Sequence, residues 1–379
     1  MTGNAIYLDH NATTPIRPEA LAAMDAAARA GGNPSSVHAA GRRARQTVDA
    51  ARAALAAALG AGDAEVVFTS GGSEANHLAL HGLEAASLIV GAVEHDSVLA
   101  AAKAGGLPLF TLPVTRNGVV DLAALERLLA EAPKPALVSV MLANNETGVI
   151  QPITDVVALV RRHGAKVHCD AVQAFGKLAL DFGALGVDSL SVSAHKVGGP
   201  QGVGALVVAP GVALAPLIAG GQERGLRGGT ENVPGIAGFG TAAGLIGDTI
   251  ERVRATGAFR DRLEARLKAA VPGLTVWGGG ALRLANTSCI GLAGLRAETQ
   301  VIAMDLAGIA VSAGAACSSG KVRPSHVLGA MGATEAEAAS AIRISFGWTS
   351  TADDAERMAE AWTTFVARSA GVKPVRAAA

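Results

Sequence analysis

The sequence predicts an α/β protein: a large domain with a mainly parallel central sheet, then a smaller α+β domain. Three observations carry that expectation. Short β-branched runs alternate with alanine-rich helical stretches between residues 65 and 208. Those runs are apolar almost throughout instead of alternating, as strands covered on both faces must be. Finally, 379 residues, 50% of them hydrophobic, are too many for one compact core.

The strand candidates are Glu65–Thr69, Ser87–Ala92, Ala136–Leu142, Lys166–Asp170, Asp188–Ser193 and Val203–Val208, with helices such as Ser73–Ala86 and Asp155–His163 between them. From Thr230 to Ala270 strand formers are few, and the stretch ends in the charged helical pattern DRLEARLKAA, so it reads as a long connector leaving the first domain. From about Gly257 the pattern changes. Short strands around Leu274–Trp277, Leu284–Leu292 and Ala341–Phe346 interleave with helices near Arg296–Ala307 and Thr351–Ala370.

Composition excludes several functions. Lys plus Arg (32) and Asp plus Glu (32) cancel, so no broad basic surface awaits nucleic acid or anionic lipid. Aromatic residues at 3% exclude base stacking as the main mode of recognition. The three cysteines, Cys169, Cys289 and Cys317, form no CxxC and no disulfide framework, which points to a reducing compartment. No basic stretch precedes an apolar run at the N-terminus, and no apolar run reaches the ~18 residues of a membrane span. A soluble, cytoplasmic protein is expected.

The candidate chemistry lies at strand ends. In SVSAHKVGGPQGVGALVV a strand ends at Ser193, and His195 and Lys196 follow in a glycine-rich turn. A lysine held beside buried sheet has a lowered pKa and can form a Schiff base, although a lone lysine at a strand end often only snorkels. In KVHCDAVQAFGK, Asp170 closes a strand and Gln173 follows one turn on. Ligands of open α/β sheets bind at carboxyl ends of strands, and pyridoxal phosphate needs both a lysine and a carboxylate for its ring nitrogen. Asp170 could equally cap a helix. TSGGSEAN places Gly72 and Ser73 at a helix N-terminus, where a phosphate is favoured, without a Walker loop or GxGxxG. His95 in GAVEHDSVL could stack on a heterocycle or handle protons, and Asn144, Asn145 and Glu146 in LANNETGVIQP could be turn formers alone.

Five parallel-strand ends thus each offer a polar group: Ser73, His95, Asn145, Asp170 with Gln173, and Ser193–Lys196. Together with YLDHNATTP, NPSSVHAAGR, ERGLRGGTEN, SAGAACSSG and RISFGW, their order resembles the class V aminotransferases, pyridoxal-phosphate enzymes of fold type I. Within that family the chain is similar to the cysteine desulfurases of the NifS/IscS type, over nearly its whole length. The resemblance implies a large domain over 15–256 and a small domain over 257–379 that includes the segment 1–14. It makes Lys196 the Schiff-base lysine, Asp170 the ring-nitrogen partner, Gln173 the contact to the phenolic oxygen and His95 the stacking residue. Gly72, Ser73, Ser193 and His195 become phosphate contacts. Thr230 becomes a phosphate contact to the neighbouring subunit's cofactor, which implies a homodimer with shared sites. Asn145 and Arg343 lie near the substrate carboxylate. Ser73 stands where many relatives have Thr, which keeps the hydroxyl.

Cys317, in VSAGAACSSGKVRPS, lies among small and polar residues as in an exposed loop, whereas Cys169 and Cys289 sit in apolar strand patterns. The resemblance makes Cys317 the residue that takes sulfur from L-cysteine as a persulfide and passes it to an iron–sulfur scaffold or sulfur carrier. It implies no resident metal, any contact of Cys317 with cluster iron being transient. A selenocysteine lyase or aminotransferase of the same family, and a dead enzyme serving as a scaffold, are the alternatives. The Cys317 run argues against the first, and the joint presence of Lys196, Asp170 and Cys317 against the second.

Overall fold

The computed structural model describes residues 5–314 and 324–369. β1 (Ile6–Tyr7) pairs in parallel with a short strand at Ile309–Ala310. β2 (Glu65–Thr69), β3 (Ser87–Gly91), β4 (Leu109–Leu112), β5 (Ala136–Ser139), β6 (Lys166–Asp170), β7 (Ser189–Ser193) and β8 (Gly204–Val208) form one sheet in the order β2-β8-β7-β6-β5-β3-β4. Neighbours are parallel except at β8, which is antiparallel to both β2 and β7. β2 therefore points the same way as β3, β5, β6 and β7, and all five end on one edge. That shared edge is where the site is built.

The second layer system begins after the helix Gly257–Ala270. β9 (Thr275–Val276), β10 (Thr287–Gly291), β12 (Ser312–Ala313) and β13 (Ala341–Ser345) form an antiparallel sheet in the order β12-β13-β10-β9, with β11 (Ile309–Ala310) lying against β1. Its own hydrophobic cluster holds Leu8, Ile290, Ile342, Phe346 and Trp362. The buried Trp362 indole donates to Gln300 Oε1 at 2.8 Å, which removes the penalty of an unpaired N–H in that core.

The six long strands expected from sequence are all present, trimmed by up to three residues at an end. The helix expected over Ser73–Ala86 runs from Gly72 to Gly82, and that over Asp155–His163 from Ile153 to Arg162. β4 escaped the sequence pattern because it has four residues between Pro108 and Pro113, as only an edge strand tolerates. The connector expected over Thr230–Ala270 is corrected by the structure. Val233–Gly244 is a helix of the large sheet's own core, wedged against the helices Pro18–Ala30 and Ala39–Ala58. Its glycines replace the usual apolar stripe, so the contact is made by close approach of backbones instead of by large side chains.

Gly240 shows the constraint. A Cβ there would lie 2.5 Å from Ala51 Cβ and 2.6 Å from Ala51 Cα, whereas a Cβ at Gly244 in the same helix meets nothing within 4 Å. Gly240→Ala should destabilise by about 1–3 kcal/mol, the clash outweighing the ~1 kcal/mol gain in helix propensity. Gly244→Ala should be neutral or stabilising. Urea unfolding midpoints of the two variants test this, and equal effects would mean that the helix does not pack as closely as described.

Candidate active site

Each strand end delivers its residue by a local device. β2 runs into Gly71, and the helix Gly72–Gly82 begins there with the Gly72 and Ser73 amides in its first turn, free of intrahelical partners. A Cβ on Gly72 would sit 2.7 Å from Val172 Cγ2, so only glycine lets this turn lie against the loop after β6. After β3, His95 caps the helix Asp96–Ala104 by accepting from Ser97 N at 3.1 Å. A backbone amide can only donate, so Nδ1 is the acceptor and the ring's other nitrogen is left for the cavity. After β5, Asn144 Oδ1 accepts the amides of Glu146 and Thr147, both at 2.9 Å, in an Asx turn that presents Asn145. Asp170 is the last residue of β6, and β7 ends at Ser193 before the 3₁₀ turn Ala194–Lys196.

Ser73, His95, Asn145, Asp170, Gln173 and Lys196 line one cavity of about 330 Å³. Gly72, Ser193, His195 and Arg343 line it too. The structure therefore brings together ten of the residues singled out from sequence. Thr230 is not among them. It is exposed and lines a separate pocket with Glu231 and Arg227. Cys317 lies outside the described residues. Cys169 and Cys289 are fully buried, and burial pushes both thiols up.

The charges are closely coupled. Lys196 Nζ donates to the main-chain carbonyls of Asn11 and Ala12, and burial, reinforced by the positive charge of Arg343, lowers its pKa to about 7. His195 falls to about 4 by burial and the proximity of Lys196. Asp170 accepts from Asn76 Nδ2 at 2.8 Å and from Val172 N at 2.9 Å. Asn76 is locked in turn, its Oδ1 accepting from Ser191 Oγ at 2.6 Å and facing His168 Nε2 at 3.1 Å. Arg343, although it belongs to a strand of the small sheet, is buried at 1% exposure. Its Nη2 donates to Asp9 Oδ1 at 2.8 Å and its Nη1 to Asn145 O at 3.0 Å, while Nε has no partner among the described residues.

Asp9, Asn11, Asn76 and Lys177 join the site without having been singled out from sequence. Asp9 and Asn11 lie in YLDHNATTP, whose family likeness is visible but whose position over the sheet edge is not. Asn76 belongs to the apolar face pattern of its helix, and Lys177 follows a glycine in what reads as an ordinary loop.

The class V aminotransferase family model matches residues 6–358. The chain belongs to that family. A cysteine desulfurase of Cereibacter sphaeroides is 43% identical over 97% of both chains. An IscS-like cysteine desulfurase of Mycobacterium tuberculosis is 40% identical over 96% of both. Among solved structures, a NifS-like protein from Rickettsia africae superposes with a TM-score of 0.88 at 37% identity, covering 96% of this chain and 99% of that one. The likeness covers both sheets of this chain.

One buried acid beside the cavity yields a stability prediction. Burial raises Glu146 to about 7, and Ser325 Oγ donates to its Oε2 at 2.5 Å. The unfolded chain loses this proton near the ordinary glutamate value of 4.5, whereas the fold holds it to about 7. The folded state thus binds more protons between those limits, and stability from this group falls as pH rises from 4.5 to 7. Glu146→Gln should therefore match wild type in melting temperature near the lower limit and exceed it above pH 7. Parallel thermal melts against pH check this, and a constant difference at all pH values would contradict the assignment.

Proposed function

We propose that the chain is a pyridoxal-phosphate-dependent cysteine desulfurase of the NifS/IscS type, converting L-cysteine to L-alanine and carrying the sulfur as a persulfide on Cys317. The observation that carries this reading is the presence, in one cavity, of Lys196 poised near neutrality and Asp170 fixed by two hydrogen bonds. The residues fit the cofactor. An amine with a lowered pKa suits its aldehyde, a carboxylate suits its ring nitrogen, and the Gly72–Ser73 helix start with Ser193 and His195 suits its phosphate. His95 and Gln173 line the same cavity, and in this reading His95 would stack on the ring and Gln173 would bond its phenolic oxygen.

When bound, pyridoxal phosphate withdraws electrons from the substrate α-carbon, labilising its proton and then the bond to sulfur. The protein does the rest. Arg343, held by Asp9 and Asn145 O, keeps its remaining Nη hydrogens for the substrate carboxylate, with Asn145 beside it. Lys196 holds or releases a proton near pH 7 at the cavity wall, and His95 offers a second proton site. The Cys317 thiol attacks the substrate sulfur. The electron pair of the broken C–S bond stays on carbon with a proton, so thiol plus cysteine gives persulfide plus alanine. An iron–sulfur scaffold or a sulfur-carrier thiol then takes the sulfur.

Further features support the remaining parts of the reading. Thr230 is exposed and remote from its own cavity, as a residue donated to a neighbouring subunit's phosphate would be, which favours a homodimer. Ile6 and Leu8 pack in the second cluster, which supports grouping 1–14 with 257–379 as the small domain beside 15–256. No described helix is long and apolar enough to cross a membrane, in keeping with the expected cytoplasmic location.

The test is an assay of alanine and sulfide from L-cysteine on purified protein, with and without reductant. Cys317→Ser should retain the cofactor's colour and lose sulfur transfer, and mass spectrometry of wild type should place one added sulfur on the Cys317 peptide. Sulfur found on Cys169 or Cys289 would defeat the reading. Arg343→Lys should keep the cofactor and lower kcat/KM for cysteine about 10–100-fold, because lysine cannot reproduce a forked, charge-assisted contact. Unchanged kinetics would return Arg343 to a structural role.

A further inference from the structure

Lys177 is a second lysine in the floor of the site, and the proposed chemistry leaves it without a task. It is almost fully buried, at 7% exposure. Its Nζ donates to Asn11 Oδ1 at 2.7 Å and to Gln173 Oε1 at 2.5 Å, and neither partner is a carboxylate. Burial, with the positive charges of Lys196 and Arg343 nearby, holds it well below the ordinary lysine value. A neutral amine has two N–H groups, and two acceptors are what this pocket supplies. An ammonium would leave a third N–H buried and unpaired.

The amide orientations around it are forced by main-chain carbonyls, which can only accept. Asn11 Nδ2 donates to Asn145 O at 3.1 Å, so Asn11 Oδ1 must face Lys177. Gln173 Nε2 donates to Asn11 O at 2.8 Å, so Gln173 Oε1 must face Lys177 as well. One hydrogen of Gln173 Nε2 remains, and Gln173 lines the cavity.

We infer that Lys177 is a positioning residue: its Nζ, seated on Asn11, holds the Gln173 carbonyl oxygen while the Asn11 main-chain carbonyl holds one amide hydrogen, so that the other N–H and not the carbonyl oxygen meets the phenolic oxygen of the cofactor. This inference rests on the pyridoxal-phosphate reading of the cavity. Without the Lys177 donor, Gln173 Oε1 is buried with no partner and the side chain turns to find one, losing the bond to the phenolate. That bond favours the ionised ring oxygen, so its loss raises the pH at which the bound cofactor's visible band titrates.

The experiment is a spectral pH titration of the protein reconstituted with pyridoxal phosphate, alongside a fluorescence titration of cofactor affinity. Lys177→Met keeps the apolar stem and removes the donor. Its band midpoint should move up by about half a unit to one unit, the equivalent of one hydrogen bond, with weaker cofactor binding. Lys177→Gln restores an uncharged N–H donor and should return the midpoint to the wild-type value. A wild-type midpoint in Lys177→Met would reduce the lysine to a space filler, and an equal shift in both variants would assign the effect to charge or stem length; either overturns the inference. If Lys177→Met does not fold, Lys177→Gln decides alone, since its midpoint must stay unshifted. Failure of wild type to acquire a visible band would instead defeat the cofactor reading itself.

Discussion

Arg343 sets the electrostatic terms of the site. A guanidinium stays charged at any pH the protein meets, and this one is buried beside two lysines. Three full positive charges in one dry space would be self-defeating, so the proton balance resolves the conflict. Asp9 compensates Arg343 directly at 2.8 Å. Lys196 falls to about 7, and Lys177 is also held well below the ordinary lysine value. Lys196 thus stands near neutrality first because it is buried and second because the Arg343 charge is close, the same charge that the proposed reading assigns to a carboxylate. Substrate recognition and amine reactivity are parts of one arrangement.

That arrangement exists only because the N-terminal segment crosses the sheet edge. Ile6 and Leu8 are packed in the second cluster, and Asp9 bridges to Ser345 beside β13. Two residues further on, Asn11 reaches into the large sheet's edge, where its carbonyl receives both Gln173 Nε2 and Lys196 Nζ. Its side chain also ties Thr287 in β10 at 2.9 Å and Lys177 at 2.7 Å. Asn11 therefore couples the two sheets through hydrogen bonds with Gln173, Lys196, Lys177 and Thr287.

The legible part of the site was the part fixed by local pattern. An apolar run followed by a polar residue at its carboxyl end identifies Asp170, Ser193 and Lys196, because strand direction and ligand position are linked in parallel sheets. Gly72 and Ser73 were legible for the same reason, through the strand-to-helix turn. Asn11, Asp9 and Lys177 were not, since their contribution depends on contacts spanning 166 residues for Lys177 and 334 for Asp9. No local periodicity reports such contacts. The misread Thr230–Ala270 stretch failed differently. Glycine at Gly240 looks like a helix breaker by propensity, yet it is what lets the helix Val233–Gly244 sit against Ala51. Tertiary packing overrode propensity there.

Burial also bears on which thiol can carry sulfur. Attack on a substrate sulfur needs a thiolate that can reach the cavity and then leave it with its cargo. Cys169 lies in β6 at 0% exposure, where desolvation and the charges of Asp170 and Glu94 oppose ionisation. Cys289 lies in β10 at 0% exposure, and desolvation with Glu146 nearby does the same. Neither can ionise near neutral pH, and moving either would break a sheet ladder. Of the three cysteines in the chain, Cys317 is the one that these two observations leave for the proposed role. Its segment is flanked by Gly314, which hydrogen-bonds back to Ala341 O at 3.0 Å, and by Ser325, which donates to Glu146.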